Sequence, residues 1–416
     1  MGQLAMADDT IRIESRNNLS LLQQAIRKKL EIIFPIYSFL TFPIITIQSK
    51  IKGCKKKILL DCPTANFADY IAQVTDLLNN DSRIQFYLLT FRRKDRPDGE
   101  EYISKFLPYK KINRLWAYLI KWNLIITACA NSNKPLITKF RCPSLKIEHG
   151  IESGKIMDGK LMVLGSNLFD CIFKNNIRFT KIFSSSSFNK ERAIKYHPEL
   201  LDIMTVVGFL DSDRLIETRI HKNSIRSNLG LNSDKKIVFV LSSWGQNCLF
   251  NLIGMPFLKE AKKLMSEYIF ILNVHPLEHR RKPKGRIVWG DFIKTQKKFG
   301  FIVREPSQDW VPYMVACDVL ISDYTSLCLN GSQIGLNTIF APFPDHCTKR
   351  GSLIWELRQI SPVLNETASN LKEKLNEALN NTQMEKLKDL SKKINSYPGE
   401  AKTRYKEEIY KVLDLK

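Results

Sequence analysis

The sequence predicts an α/β protein built from two facing Rossmann-like domains with parallel sheets, closed by a C-terminal helix. Three observations predict it. Short apolar runs alternate with amphipathic stretches from residue 58 onward, the pattern of βαβ units. That pattern breaks once, in the polar stretch from Asp211 to about Lys236, and then resumes. From Lys372 the chain is rich in Lys, Glu and Leu at helical spacing. The expected units are therefore a first domain over 58–215 and a second over 216–416. A basic and apolar segment, 1–57, precedes them.

The elements follow in order. Residues 58–60 open a strand, and 67–78 form a helix with Ile71, Val74, Leu77 and Leu78 on one side. Strands are expected at 84–91, 124–129, 145–147, 181–183 and 204–207, with a helix over 112–120. A helix over 216–229, stopped by Gly230, makes the crossover. The second half repeats the device, with strands at 237–241, 268–274, 301–303, 319–322 and 338–341. Helices are expected between them at 256–265, 310–316 and 326–334.

Composition bounds the partners. The 416 residues are 44% hydrophobic and 25% charged, ordinary values for globular domains. The charge is not ordinary: 64 Lys and Arg oppose 42 Asp and Glu, a net +22. Such a field calls for a polyanionic partner. Zinc-finger spacing, an RNA-binding strand motif and a heptad-linked basic region are all missing, which places an anionic membrane surface and a phosphate-rich substrate ahead of nucleic acid. The nine cysteines are scattered with no CxxC pair, and read as packed, reduced thiols. The first twenty residues carry acids and no apolar core, so no signal peptide is expected. Residues 32–47, IIFPIYSFLTFPIITI, form an uncharged run flanked by Arg27-Lys28-Lys29 and by Lys50, Lys52 and Lys55. With Pro35 and Pro43 it is too short to span comfortably. It reads as buried core, as an interfacial element held on an anionic leaflet by its basic flanks, or, last of the three, as a membrane span.

Ligands in open α/β sheets bind beyond the carboxyl ends of the strands, so functional residues should follow strands directly. Three strand ends qualify. The first ends in His149-Gly150, where the glycine admits close approach of a ligand to the backbone. The second ends in His275-Pro276. Histidine titrates near neutrality and suits proton transfer with a hydroxyl. The plainer reading of either one alone is a hydrogen-bonded structural histidine, and the pair, one per domain, says more than either member. The third is Ser322-Asp323-Tyr324-Thr325-Ser326 before an apolar helix, a hydroxyl-rich turn suited to phosphate. Capping of that helix by Thr325 or Ser326 is the plainer alternative. No Walker-type loop occurs. Asp211-Ser212-Asp213 has the letters of a DxD motif, but it reads as a solvated loop or cap, and no metal is expected.

At these residues the chain resembles the CDP-glycerol glycerophosphotransferase family, whose members build teichoic acids and related capsule polymers. The run DVLISDYTSLCLNGSQIGLNTIFAPFPDHCTKRG is similar to the family's donor-site block, with Asp345 and Arg350-Gly351 as its tail. His149-Gly150 and His275-Pro276 match the family's two histidine sites in order. The resemblance covers roughly 145–360. It departs at Ser242-Ser243-Trp244-Gly245, where the family usually carries an arginine after the tryptophan, and at Gly208-Phe209-Leu210-Asp211, a reduced form of its Gly-x-Pro-Arg-x-Asp segment.

The resemblance implies a GT-B-like fold and transfer of an alditol phosphate, glycerol phosphate first, from a CDP-alditol to a hydroxyl of a polymer or lipid-linked acceptor. The setting it implies is the cytoplasmic face of the membrane. His149 would be the general base, with Gly150 on the acceptor side. His275 would stabilise the transferring phosphoryl group or protonate the leaving phosphate. Ser243, Ser322, Asp323, Thr325, Ser326, Asp345 and Arg350 would hold the donor. No cofactor is expected beyond that donor. Two other readings stand beside this one: a glycosyltransferase or epimerase using a UDP-sugar, and a non-catalytic membrane-associated scaffold, which the missing arginine favours.

Overall fold

The computed structural model describes residues 55–90, 99–113, 116–117, 120–129, 142–151, 154–157, 160–161, 172–173, 176–177, 179–231, 234–279, 287–380 and 383–416. The run 32–47 and part of the expected helix 112–120 lie outside them.

The first sheet has seven parallel strands: β1 (Lys56–Asp61), β2 (Ile84–Leu89), β3 (Lys110–Lys111), β4 (Leu124–Thr127), β5 (Ser144–Lys146), β10 (Lys181–Ser184) and β11 (Met204–Val206). Their order is β11-β10-β5-β4-β1-β2-β3. Two short antiparallel hairpins, β6 (Ile156–Met157) with β7 (Lys160–Leu161) and β8 (Ile172–Phe173) with β9 (Asn176–Ile177), interrupt the path from β5 to β10. The second sheet has five parallel strands, β12 (Lys236–Ser242), β13 (Tyr268–Val274), β14 (Ile302–Val303), β15 (Val319–Ser322) and β16 (Asn337–Phe340), in the order β14-β13-β12-β15-β16.

The strands carry unbroken apolar runs because helices cover both faces of each sheet. In β12, Ile237, Phe239 and Leu241 enter one core while Val238 and Val240 enter another, and all five are fully buried. This is the two-residue alternation of a strand read through a continuous hydrophobic segment. The fold is α/β with the two-sheet, GT-B-like arrangement the sequence predicted.

Thirteen helices occur among the described residues. Those of the first domain are α1 (Ala68–Asp76), α2 (Gly99–Phe106) and α3 (Ser187–Tyr196). The crossover is not one helix over 216–229 but two, α4 (Leu210–Arg219) and α5 (Lys222–Asn228). Asp211, Ser212 and Asp213 are also not solvated. They form the buried first turn of α4. Asp213 accepts from the backbone N–H groups of Gly399 (2.8 Å) and Lys402 (3.1 Å), so the carboxylate serves donors from the far end of the chain.

Helix α6 (Leu249–Lys263) starts well before the expected Pro256 and runs through it. Its buried stripe of Leu249, Phe250, Ile253, Phe257 and Ala261 outweighs the cost of an interior proline, about 3 kcal/mol. Helices α7 (Trp289–Thr295), α8 (Val311–Ala316), α9 (Leu327–Gln333), α10 (Leu353–Gln359), α11 (Leu371–Asn380) and α12 (Met384–Ile394) complete the second domain.

The last helix, α13 (Ala401–Leu413), departs from the 216–416 unit. Ala401, Tyr405, Ile409 and Leu413, spaced at four residues, enter the first sheet's core with Phe183 and Val207. The Tyr405 ring meets Phe183 edge-on at 4.9 Å, and Glu408 pairs with Lys181 of β10. The first domain is thus finished by the end of the chain. Among the described residues no helix is long and apolar enough to cross a membrane.

Candidate active site

Each sheet reverses its strand order beside its first strand, between β1 and β4 and between β12 and β15. Connections leave such a point in opposite directions and open a crevice at the carboxyl ends. The candidate residues stand at these ends.

In the first domain the segment after β5 is fixed by Glu148. Its buried carboxylate accepts from the Ser185 N–H at 3.0 Å and the Ser184 hydroxyl at 3.3 Å, both at the end of β10. His149 comes next, with Nδ1 2.8 Å from the Ala128 carbonyl beyond β4. A carbonyl only accepts, so Nδ1 carries the hydrogen and Nε2 of the neutral ring carries the lone pair. Phe67 meets the imidazole edge-on at 4.7 Å and Tyr70 at 6.4 Å. Gly150 has φ +121°, and a Cβ there would lie 3.6 Å from Ser326 Oγ. This turn of the first domain therefore reaches the start of α9 in the second.

The second domain's side is organised by Asp323, directly after β15 and fully buried. Its carboxylate accepts from the Ser243 N–H (2.8 Å), the Ser243 hydroxyl (3.0 Å), the Leu249 N–H (2.8 Å), the Thr325 N–H (3.0 Å) and, more weakly, the Ser242 hydroxyl (3.4 Å). Burial pushes its pKa up, while the Leu249 and Ser243 N–H groups pull it down. Asp323 thus ties the end of β12, the start of α6 and the turn before α9 into one rigid corner. Ser322 donates to the Asp323 carbonyl at 3.0 Å.

The structure brings Ser243, Ser322, Asp323, Thr325 and Ser326 together but gives them different surroundings. The first three are buried and bond to one another, while Thr325 and Ser326 are half-buried at the crevice. Ser326 is the residue preceding α9, and its side chain makes no capping hydrogen bond.

His275 follows β13. Its Nδ1 accepts from the Leu277 N–H at 3.1 Å, so the neutral ring carries its hydrogen on Nε2. The two histidines are therefore held in opposite tautomers, His149 by a carbonyl and His275 by an amide. Trp244, beyond β12, lies 6.2 Å from the His275 ring, and its carbonyl is 3.5 Å from the Tyr324 hydroxyl.

Asp345 and Arg350 are exposed and engaged differently. Asp345 pairs at 3.0 Å with Arg358, whose guanidinium covers Phe343, and Arg350 lies over Trp355 at 5.5 Å.

Sequence reasoning missed Lys155. Its ammonium lies 5.0 Å from the Trp244 ring centre and 4.7 Å from that of Tyr324. Nothing in the local pattern of residues 151–160 marks it, because its neighbours come from the other domain. It also missed a charge cluster between the domains. Arg214 of α4 reaches Asp69 of α1 (3.6 Å), Asp211 (3.1 Å) and Asp309 ahead of α8 (2.7 Å). Asp211 lines a small cavity with Tyr70, Gln73, Glu148 and Tyr405, and burial pushes its pKa up to about 6. Among the described residues no group of three or more His, Cys, Asp or Glu side chains stands ready for a metal.

No protein-family profile matches the chain. No curated protein matches it by sequence either. Solved structures do. The wall teichoic acid polymerase TagF superposes with a TM-score of 0.60 at 15% identity, over 94% of this chain and 97% of that one. A TagF variant soaked with CDPG matches with a TM-score of 0.58 at 14% identity, over 95% of this chain and 98% of that one. The S. aureus MnaA–UDP co-structure gives 0.57 at 13% identity, over 87% of this chain and 98% of that one. At these identities the likeness is one of fold. The chain's structural neighbours are two-sheet enzymes of the GT-B kind, TagF among them.

Proposed function

We propose that the chain is a transferase that moves an alditol phosphate from a CDP-alditol to an acceptor hydroxyl, with His149 as the general base. The observation that carries this reading is the opposed pair of tautomers at the strand ends. His149 presents a lone pair on Nε2 and His275 presents a hydrogen on Nε2, as a proton acceptor and a proton donor require.

In the proposed step the acceptor oxygen attacks the β-phosphorus of the donor and forms a new P–O bond. Its proton passes to His149 Nε2. The bond from that phosphorus to the oxygen of CMP breaks, and CMP leaves. His275 donates to the departing phosphate or to the phosphoryl oxygens. Thr325 and Ser326 face the diphosphate, while Asp323 fixes the corner that aims them. Phosphoryl transfer asks a protein mainly for positioning and charge neutralisation. The fold shared with TagF, and the block 318–351 that resembles its family, support the CDP-alditol as donor. The basic surface supports an anionic acceptor or membrane face.

A UDP-sugar enzyme is the second reading, favoured by the likeness to the MnaA–UDP co-structure. A donor screen with purified protein separates the two. CMP release from a CDP-alditol, reduced about 10²- to 10⁴-fold in His149→Ala with an unchanged melting temperature, is the expected result. Retention of more than about a tenth of the rate removes the base assignment. Turnover of a UDP-sugar alone replaces the chemistry, and nucleotide binding without turnover of any donor supports a scaffold.

A further inference from the structure

We propose that Lys155 is the fixed counter-charge for the diphosphate of the bound nucleotide. The inference rests on the nucleotide-donor reading above and assigns that site its cationic residue.

The residue is held by backbone. Lys155 forms an antiparallel bridge with Thr348, and the Lys349 N–H donates to the Gly154 carbonyl at 2.9 Å. Gly154 has φ +72° and lies so close to Ser352 that a Cβ would stand 2.1 Å from the Ser352 Cβ. A residue that follows the first domain's His149 turn is thereby locked onto a loop of the second domain. Its side chain then enters the corner that Asp323 organises. Trp244 comes from the end of β12 and Tyr324 from the end of β15, so the ammonium sits at the reversal point of the second sheet. Trp244 also faces His275.

The ammonium has no direct anionic contact there. Among the described residues Lys155 makes no ion pair and no side-chain hydrogen bond. Asp323 attracts it through space, but five neutral donors hold that carboxylate's oxygens, so the two charges make no direct ion pair. Two aromatic faces attract a cation but do not replace the water an ammonium gives up on burial. Burial accordingly pushes the Lys155 pKa down. The cation is walled by Trp244 and by Tyr324, which directly precedes the half-buried Thr325 and Ser326, and it touches no anion among the described residues. The crevice position makes a ligand its anionic partner, and a diphosphate supplies both the charge and the acceptor oxygens.

The test titrates CDP, UDP and inorganic pyrophosphate into the full chain and into Lys155→Met, with melting temperatures alongside. Lys155→Met is expected to lose about tenfold or more in affinity for every probe the wild type binds, at an unchanged or higher melting temperature. Affinities within about twofold of wild type overturn the proposal, as does a wild type that binds none of the three. A measurement on the unmodified chain guards against a variant that fails to fold. Acetylation of Lys155, mapped by mass spectrometry, should slow in saturating CDP, or in whichever probe binds, and unchanged labelling overturns the proposal. Turnover of a CDP-alditol is read separately. Its absence alongside Lys155-dependent diphosphate binding sinks the alditol-phosphate reading and leaves this inference standing.

Discussion

Asp323 and Asp211 show how a carboxylate's role is set by partners far away in the chain. Both are buried, and both were visible as acids at notable positions. Asp323 stands at a strand end, as expected for a site residue, yet most of its donors come from Ser242, Ser243 and Leu249, far earlier in the chain. It acts by holding Ser243, Leu249 and Thr325 in place. Asp211 was expected in solvent and is instead enclosed, facing Gln73 and Arg214. Its raised pKa has a definite sign. The native state holds the proton more tightly than the unfolded chain, so this group's contribution is full below the ordinary carboxylate range, near 3.8, and is lost as pH rises to about 6. Asp211→Asn removes that loss. Thermal melts between pH 4 and 7.5 should show the difference between Asp211→Asn and wild type moving in the variant's favour as pH rises to about 6, and levelling off above it. A pH-independent difference refutes the assignment. The histidines were legible as strand-end residues, but the opposed tautomers were not, because the Ala128 carbonyl and the Leu277 amide are placed by the fold.

Among the elements, long buried strands were easiest to read. Strands β12, β13 and β15 fall within a residue or so of expectation, because short apolar runs rich in β-branched and aromatic residues suit strands buried on both faces. The helices were harder. Pro256 marked a false start inside α6, where packing prevails over local preference, and the crossover split into α4 and α5. The 154–157 segment was illegible, since its partners are residues 348–352. Gly154→Ala tests that contact. The added methyl meets Ser352 at 2.1 Å in a left-handed backbone, so both melting temperature and CDP affinity should fall. Gly351→Ala is the control, with φ +71° and nothing within 4 Å, and it should cost only about 1 kcal/mol of backbone strain. Equal effects of the two substitutions would show that the close approach at Gly154 does not matter.

At the scale of the whole molecule, two parallel sheets were foreseeable from alternating patterns, whereas the strand order and its reversals come from the fold. The return of α13 was not foreseeable either, because an amphipathic helix carries no address for the core it joins. Removal of residues 401–416 strips Tyr405, Ile409 and Leu413 from the first core and the Lys402 amide from Asp213. Hydrogen exchange should then show amides of β1, β4 and β10 losing protection while β12, β13 and β15 keep theirs. Loss spread evenly over both sheets would mean that α13 supports the molecule generally and not the first domain.

The same return has a bearing on synthesis. A ribosome delivers the strands of the first sheet long before it delivers residues 401–413, so that sheet waits, with part of one face uncovered, while the second domain emerges and folds. The nascent first domain is a natural client for a chaperone over that interval. A transcript cut short late in the reading frame would yield a chain whose early half, not its late half, is the part marked for degradation.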